Sequence, residues 1–599
     1  MKRLSKFLAV FAALCTVLSM SAFAGFKPAD AVSETQAPQE ITADEQLDVP
    51  AEGESAEGES AEGESAEGES AEGESADGES AGGESDDSVM AMNAGASSGD
   101  VIYSISEDGL VFNEEAEGFA AEGGEITDTY ADSLILGISE FTTTGFEVTG
   151  GEYTISNTSI IKDVTGEVDE NAAGGVCARV TGGILTLANC DFINAGKGGR
   201  NGNYTVECND EGVLVVINSS IVQTGLTGDP EGYTAAIADP PSNAALGISG
   251  YARANMSLGR TQTYYYGSYV ETEGWAAMST DSAKKGFAFF SYDSVGSALY
   301  GGYGTYADTS CVDWFYATVL NSAEIGAIIS NNGEIHMANG ADASEEALAY
   351  LPEDYKVTDL YEELGGRSAV AAGRNDFQIH SPDMMGSGAG TDYHGVLDLK
   401  ATDIETSIDL DEQAILVDWY KDYGPAMGEY IDFVKGANIL VKSTGAYITL
   451  DNVTTDSYTN VLLLTALNSD GMSRYAKASD DMTGKGTEMT VKNSVVEGDV
   501  LNFDYQRNCS VTLENAVWTG AYLTIDKEEW DSIWSDECKA DESCVWILDP
   551  EVYFDGEGTT AAMVLGENSV WNPVGVSNIN FLSEMYRRMR FVREYASYQ

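Results

Sequence analysis

The stretch VVINSSIV, residues 215–222, runs apolar, breaks at an asparagine, and resumes apolar. It returns as TISNTSII at 154–161 and LTLANCDFI at 185–193, then as ITLDNVTT at 448–455, MTVKNSVVEG at 489–498 and VTLENAVWTG at 511–520. Alternation with a period of two is the pattern of a β-strand. Asparagine tolerates the left-handed backbone conformation that a tight corner needs and can bond its own turn. One short strand per coil followed by a polar corner reads as a parallel β-solenoid, in which stacked coils bury a continuous core. Asn493 and Asn515 lie 22 residues apart, about one coil, and Asn452 to Asn493 is 41, close to two. The 32 and 29 residues separating Asn157, Asn189 and Asn218 imply single coils with looped insertions. Stacked amides of successive coils are expected to form a ladder. An offset version, GWAAMSTD at 274–281, GTYADT at 304–309 and GAIISNN at 326–332, puts Asp281, Asp308 and Asn331 at crowded corners. A β-sandwich of similar short strands is the competing reading, but Asn-Gly hairpin signals are too sparse to favour it.

Outward from the repeats, the chain changes character. Residues 1–24 begin with Lys2, Arg3 and Lys6, continue apolar from Phe7 to Met20, and end in Ala22-Phe23-Ala24, the plan of a secretory signal peptide. Residues 25–99 form an acidic low-complexity segment whose five-residue units, AEGES five times and then ADGES and AGGES, fill 51–85. Lacking aromatic and β-branched residues there, the repeat cannot bury enough apolar surface to offset its ordering entropy, and it reads as a disordered spacer. Weak calcium binding by the repeat is the alternative. Residues 100–580 are assigned to the β-helix domain. No later run is long and apolar enough to span a bilayer.

The net charge of −69 is not confined to the spacer: residues 25–88 hold 21 acids and one lysine, and the chain beyond them 78 acids and 26 bases. So acidic a body excludes nucleic acid and anionic membranes as default partners and suits divalent cations, Ca²⁺ among them, or cationic partners. Seven cysteines follow the signal segment, an odd and sparse set for a disulfide framework. Cys538 and Cys544 make the candidate disulfide because the loop between them is short; the others read as buried small hydrophobes.

The phrases LENAVWTG at 513–520 and LGENSVWNPVG at 565–575 carry a resemblance. Over roughly residues 125–580 the chain resembles the secreted right-handed parallel β-helix proteins of pectin-lyase-like fold, which include polysaccharide lyases, glycoside hydrolases and adhesin or autotransporter-like passenger stalks. Ser569-Val570-Trp571-Asn572 resembles a phrase of the last coils of non-enzymatic surface proteins of this type. Polygalacturonase-like enzymes of this fold carry a Gly-His-Gly and an Arg-Ile-Lys phrase, and this chain has neither.

Catalytic signals are few, and no catalytic or metal-ligating residue is assigned. His336, His380 and His394 are widely separated without HExxH spacing, and the glycine-rich run 386–390 lacks the lysine of a phosphate loop. Asp480-Asp481, the one tempting carboxylate pair, sits in the polar SDDMTGKG, where a solvated turn is expected. A lyase base would have to come from Arg253, Arg260, Lys284 or Lys285.

The positive signal is aromatic: Tyr264, Tyr265, Tyr266, Tyr269, Trp275, Tyr292, Tyr300, Tyr303, Tyr306, Trp314 and Tyr316 crowd the central coils. Rings standing outward on successive coils would make a strip able to stack on sugars or on a protein; rings packed inside the coils are the competing reading. Trp275, Tyr303, Tyr306, Trp314, Tyr316, Asp281 and Asp308 are the candidate ligand-binding residues. Two segments break the repeat. Ser344–Gly366 spaces Leu348, Leu351, Leu360 and Leu364 as a helix interrupted at Pro352, a helical insertion that serves as lid, partner arm or plain decoration. Residues 581–599 place four arginines around an apolar face, a helical cap over the last coil or a dock for an acidic surface polymer. The expected protein is an exported bacterial surface or secreted β-helix that adheres to host or cell-surface polysaccharide or protein without catalysis. A polysaccharide lyase or hydrolase and a structural surface-layer component are the alternatives.

Overall fold

The computed structural model describes residues 99–584 apart from 165–173, 196–202, 224–251, 273–275, 281–287, 299–302, 309–310, 323–324, 331, 373–436, 443–444, 458–459, 467–485, 506, 525, 527–560 and 575–576. Residues 1–98, which hold the expected signal peptide and nearly all of the expected spacer, lie outside the described residues, as do Cys538, Cys544, Asp480, Asp481, His380 and His394.

The alternating phrases form strands, and the strands repeat in threes. Ala178–Val180, Ile184–Ala188 and Asp191–Asn194 pair in parallel with Asn203–Asp210, Val213–Ile217 and Ser220–Gln223. Those pair in turn with Ala252–Gly259, Gln262–Tyr266 and Tyr269–Thr272. From Thr144–Val148 to Val570–Asn572 the described strands make eleven such triplets. The protein is therefore nearly all β, with long parallel sheets compatible with a solenoid. Two expectations are corrected. Each repeat holds three strands rather than one, and the offset phrases supply the first strand of their repeat at 276–280, 303–307 and 325–330; Asp308 directly follows its strand, while Asp281 and Asn331 lie outside the described residues. The 41 residues from Asn452 to Asn493 are one repeat carrying an insertion, because Ala446–Asp451 pairs directly with Thr487–Lys492.

Alternation sorts each strand into an inward and an outward set. In the second strand of the repeats the inward row runs Ile155, Leu187, Val216, Tyr265, Ser291, Phe315, Met337, Leu450, Val491, Leu513 and Leu565 in register. Nearly all are apolar and buried, and each large apolar side chain removed from water contributes roughly 1.5–3 kcal/mol.

The corner after that strand fixes the repeat-to-repeat register. Asn157, Asn189, Asn218, Asn452, Asn493 and Asn515 all have positive φ, between 47° and 56°. Each donates its backbone N–H to the following repeat, as in Asn189 to the Ile217 carbonyl (3.0 Å) and Asn493 to Glu514 (3.0 Å). The side chains form short exposed ladders: Asn515 Nδ2 donates to Asn493 Oδ1 (2.9 Å), and Asn493 to Asp451 (2.7 Å). A second, buried chain follows one residue on, at Thr158, Ser219, Ser268, Ser294, Thr318, Ser368 and Ser494. Ser219 Oγ accepts the Cys190 N–H from the preceding repeat (3.0 Å) and donates to its own Ile217 carbonyl (2.8 Å). Ser268 and Ser294 repeat this geometry. Where Cys190 replaces the hydroxyl, its thiol makes the same backward contact to Ala188 (3.5 Å). Cys177, Cys190, Cys208, Cys311 and Cys509 are buried.

The N-terminal end is closed by antiparallel hairpins, Val101–Ser106 with Gly109–Phe112 and Phe119–Ile126 with Tyr130–Ile138. Glu122 and Glu125 stand exposed on the outer strand, charge that discourages edge-to-edge pairing. Beneath the hairpins Lys162 is fully buried, its Nζ donating to the carbonyls of Phe141 (2.5 Å), Thr143 (2.8 Å) and Gly175 (2.8 Å). At the other end, Phe581–Glu584 is a strand paired with Ala561–Leu565, so the expected C-terminal helix does not begin at 581; residues 585–599 lie outside the described set. Among the described residues no helix is long and apolar enough to cross a membrane.

Ser219→Ala leaves the Cys190 N–H without its acceptor and is expected to cost about 1–3 kcal/mol, read as a lower urea midpoint that Ser219→Thr restores. Burial pushes the Lys162 ammonium down to about 7, so the folded chain releases this proton before the unfolded chain does. Stability is then expected to rise with pH from about 7 toward the ordinary lysine value. The difference in midpoint between wild type and Lys162→Met, measured at pH 6.5 and 9, isolates that slope; an unchanged difference refutes it.

Candidate functional site

The triplet Tyr264-Tyr265-Tyr266 shows how alternation divides the aromatic cluster. Tyr265 points inward, stacks on Phe289 at 5.6 Å and donates its hydroxyl to Asn255 (2.9 Å). Tyr264 and Tyr266 point outward and begin two adjacent rows across the second-strand sheet. One runs Val215, Tyr264, Phe290, Trp314, His336 and Thr449; the other runs Ile217, Tyr266, Tyr292, Tyr316 and Ala338. An outward aromatic strip therefore exists, but most of it is covered.

The cover is the insertion between Asn339 and Arg367. Its base is closed by the Gly340 N–H donating to Gly366 (2.7 Å). Within it the α-helix spans only Asp359–Leu364, capped by the Thr358 hydroxyl and by Gly365 at φ 62°, while 345–350 are turns. Leu348, Tyr350, Leu351, Tyr355, Val357 and Tyr361 pack on Tyr264, Tyr266, Phe290, Tyr292 and Tyr316. Tyr266 donates its hydroxyl to the Ala347 carbonyl (2.8 Å). Asp293 fastens the far end: its carboxylate accepts the Thr358 N–H (2.7 Å), the Thr358 hydroxyl (2.5 Å) and the Tyr355 hydroxyl (2.7 Å). Burial raises the Asp293 carboxyl above its ordinary value, and those hydrogen bonds oppose the rise.

The corner row adapts to this cover. Where other repeats place asparagine, these place Gly267, Asp293 and Ala317, all with positive φ. A Cβ at Gly267 would lie 2.5 Å from the Tyr355 hydroxyl oxygen. Asp293 supplies the anchor, and small Ala317 lies beside Gly340 and Tyr361. The departures from the corner pattern are thus the places where the insertion sits.

The strip stays open at Trp314 and His336. Both are half-buried, their rings stacked at 4.1 Å and 21°. His336 Nδ1 meets Thr449 Oγ1 at 3.1 Å and Nε2 meets Glu334 Oε2 at 3.3 Å. The neighbouring outward row runs Glu334, Tyr447, Glu488 and Ser510. Burial, then the carboxylates of Glu488 and Glu334, push the Tyr447 phenol up. The result is a polar, negatively charged margin beside a ring stack.

Of the sequence-predicted residues, Trp314 and Tyr316 share this sheet, Tyr316 beneath the insertion. Tyr303 and Tyr306 are buried in the first-strand sheet, so they do not join the strip. Asp308 is also buried there and accepts the Ser330 hydroxyl (2.7 Å), which in turn meets the Tyr306 hydroxyl (3.0 Å). Trp275 and Asp281 lie outside the described residues. Of the candidate bases, Arg253 is buried and Arg260 exposed. Sequence reasoning missed Glu334, His336, Tyr447 and Glu488, whose alternation with the core residues Ile335, Ile448 and Met489 was the available signal. Among the described residues no group of three or more His, Cys, Asp or Glu side chains is placed to hold a metal ion. No protein-family model matches the chain, and no curated protein or solved structure matches it significantly.

Asp293→Ala removes the acceptor of three donors and is expected to loosen the insertion by about 1–3 kcal/mol. Hydrogen exchange should quicken at amides of 344–364 and stay unchanged in the strands at 213–223; equal protection in both proteins would show that the aromatic packing alone holds the segment.

Proposed function

We propose that the chain is an exported right-handed parallel β-helix that acts by adhesion, binding a glycan or protein without catalysis. What supports the winding is the parallel pairing of most described strands from Thr144–Val148 onward with the strand three along, repeat after repeat. What supports export is the signal-like sequence of residues 1–24. The observation that carries the binding reading is the open end of the outward aromatic rows. Trp314 and His336 offer apolar ring edges, while Glu334, Thr449 and Tyr447 set hydrogen-bonding groups beside them. Binding sites commonly combine an apolar surface with a few placed polar groups, and rings with a polar handle are favoured at interfaces.

A net charge of −69 steers this surface away from polyanionic partners unless a cation bridges them, and toward neutral or cationic ones. Ca²⁺ is the bridging ion to test. The full chain, incubated with neutral and acidic polysaccharides with and without calcium, is expected to bind at least one saturably and to release no unsaturated product or reducing end. Trp314→Ala is expected to weaken that binding about tenfold, the scale of a good aromatic contact. Turnover of any polymer would replace adhesion with a lyase or hydrolase, and binding indifferent to Trp314 would move the site elsewhere.

A further inference from the structure

The rings of the open end stand on edge. Trp314 and His336 are stacked nearly parallel along the row, as are Tyr264 and Phe290 at 5.1 Å and 15°. A stack of this kind turns ring rims outward. The insertion shows which guest such rims accept: Tyr350 meets Tyr264 at 62° and Tyr355 meets Tyr292 at 67°, both edge to face. Aromatic pairs favour that arrangement because the positive rim of one ring meets the negative face of another. Beyond the insertion the rims continue at Trp314 and His336, now flanked by Glu334 and Glu488. A fitting guest therefore carries aromatic faces and positive charge.

The chain contains a segment of that chemistry. MYRRMRFVREY at 585–595 interleaves Tyr586, Phe591 and Tyr595 with Arg587, Arg588, Arg590 and Arg593. Four arginines within seven residues stand out in a chain of net charge −69. The segment follows the strand Phe581–Glu584, and Phe581 shares a register row with Ala562, Ser510, Glu488 and Tyr447. Four strand spacings of about 4.8 Å put Tyr447 roughly 19 Å from Phe581, while the 15 residues of 585–599 reach up to roughly 50 Å when extended. A tether that short gives a high effective concentration.

We infer that the basic aromatic segment 585–595 docks in its own chain on the outward face formed by Trp314, His336, Glu334, Tyr447 and Glu488. This rests on reading that face as a binding surface, and it makes the segment a built-in competitor for an outside partner. Guanidinium groups meet the carboxylates of Glu334 and Glu488, and the rings lie across the indole and imidazole rims.

Trypsin tests this on the full chain, because docking shields Arg587 and Arg588 from cleavage. Release of the C-terminal fragments, followed by mass spectrometry, is expected to run about fivefold faster in Glu334→Gln/Glu488→Gln and in wild type at high salt, at a rate independent of protein concentration. Charge-conserving Glu→Asp changes should restore most of the protection, separating docking from general unfolding. Equal rates in wild type and the Gln variant overturn the inference, as does protection that grows with protein concentration, which would mean docking between copies. In Arg587→Gln/Arg588→Gln, binding of an outside polysaccharide should tighten. If it stays as in wild type, the segment is no competitor, although the adhesion reading would survive.

Discussion

The structure depends on a corner that points backbone polar groups along the stack. A residue with positive φ turns the chain between the second and third strands and gives its N–H to the carbonyl one repeat further on. The next residue, usually Ser or Thr, sinks its hydroxyl between two repeats and satisfies one group of each. A parallel sheet has no hairpin to set its register, and slipping by one residue would turn every inward side chain outward. The hydroxyl opposes that slip because a buried N–H left without an acceptor costs about as much as several apolar contacts return. Register held at one corner then propagates to all three strands of the repeat.

With register fixed, the outward rows become a surface with addresses, and residues far apart in sequence become neighbours. Tyr264, Phe290, Trp314 and His336 span 73 positions yet occupy one row. The same regularity lets the chain modify a few repeats locally. Asparagine gives way to Gly267, Asp293 and Ala317 at the corners, and there the insertion from 339 to 367 finds room for Tyr355, an anion for Thr358 and space beside Tyr361. The inward row meanwhile stays buried through these repeats, with Ser291 its one polar member there.

The repeat was legible in the sequence because a strand and an αL corner both leave residue-level marks: period-two alternation and asparagine. The Ser or Thr after the asparagine was equally visible in VVINSSIV and MTVKNSVVEG, but its role could not be read there, since the N–H it satisfies belongs to another repeat. Strand number per repeat was misjudged for a related reason. In Tyr303–Ala307 every residue is buried, so the strand shows no alternation against solvent. That hid the first-strand sheet and placed Tyr303 and Tyr306 on a surface they do not share with Trp314. The insertion's glycine stop marks its helix end at Gly365, whereas its acidic start at Glu345 and Glu346 opens turns rather than the expected helix. Its footprint on the aromatic rows could not be read from sequence, because covering an outward ring and packing an inward one select the same residue types.

The stacking direction of the rings bears on what this face can hold. Rings stacked along a register row present rims, and rims are poor partners for the flat face of a pyranose, which contacts aromatic faces through its C–H groups. They suit a second ring laid across them, as Tyr350 and Tyr355 are. A glycan at this site would consequently rely more on Glu334, Thr449 and Tyr447 than on stacking, and its affinity would respond more to loss of a hydrogen-bonding group than one on a face-presenting platform. A polypeptide guest with aromatic side chains uses the rims directly. Between the two classes of ligand, the geometry of the open end therefore leans toward a protein segment, with the carboxylates of Glu334 and Glu488 asking that it be basic.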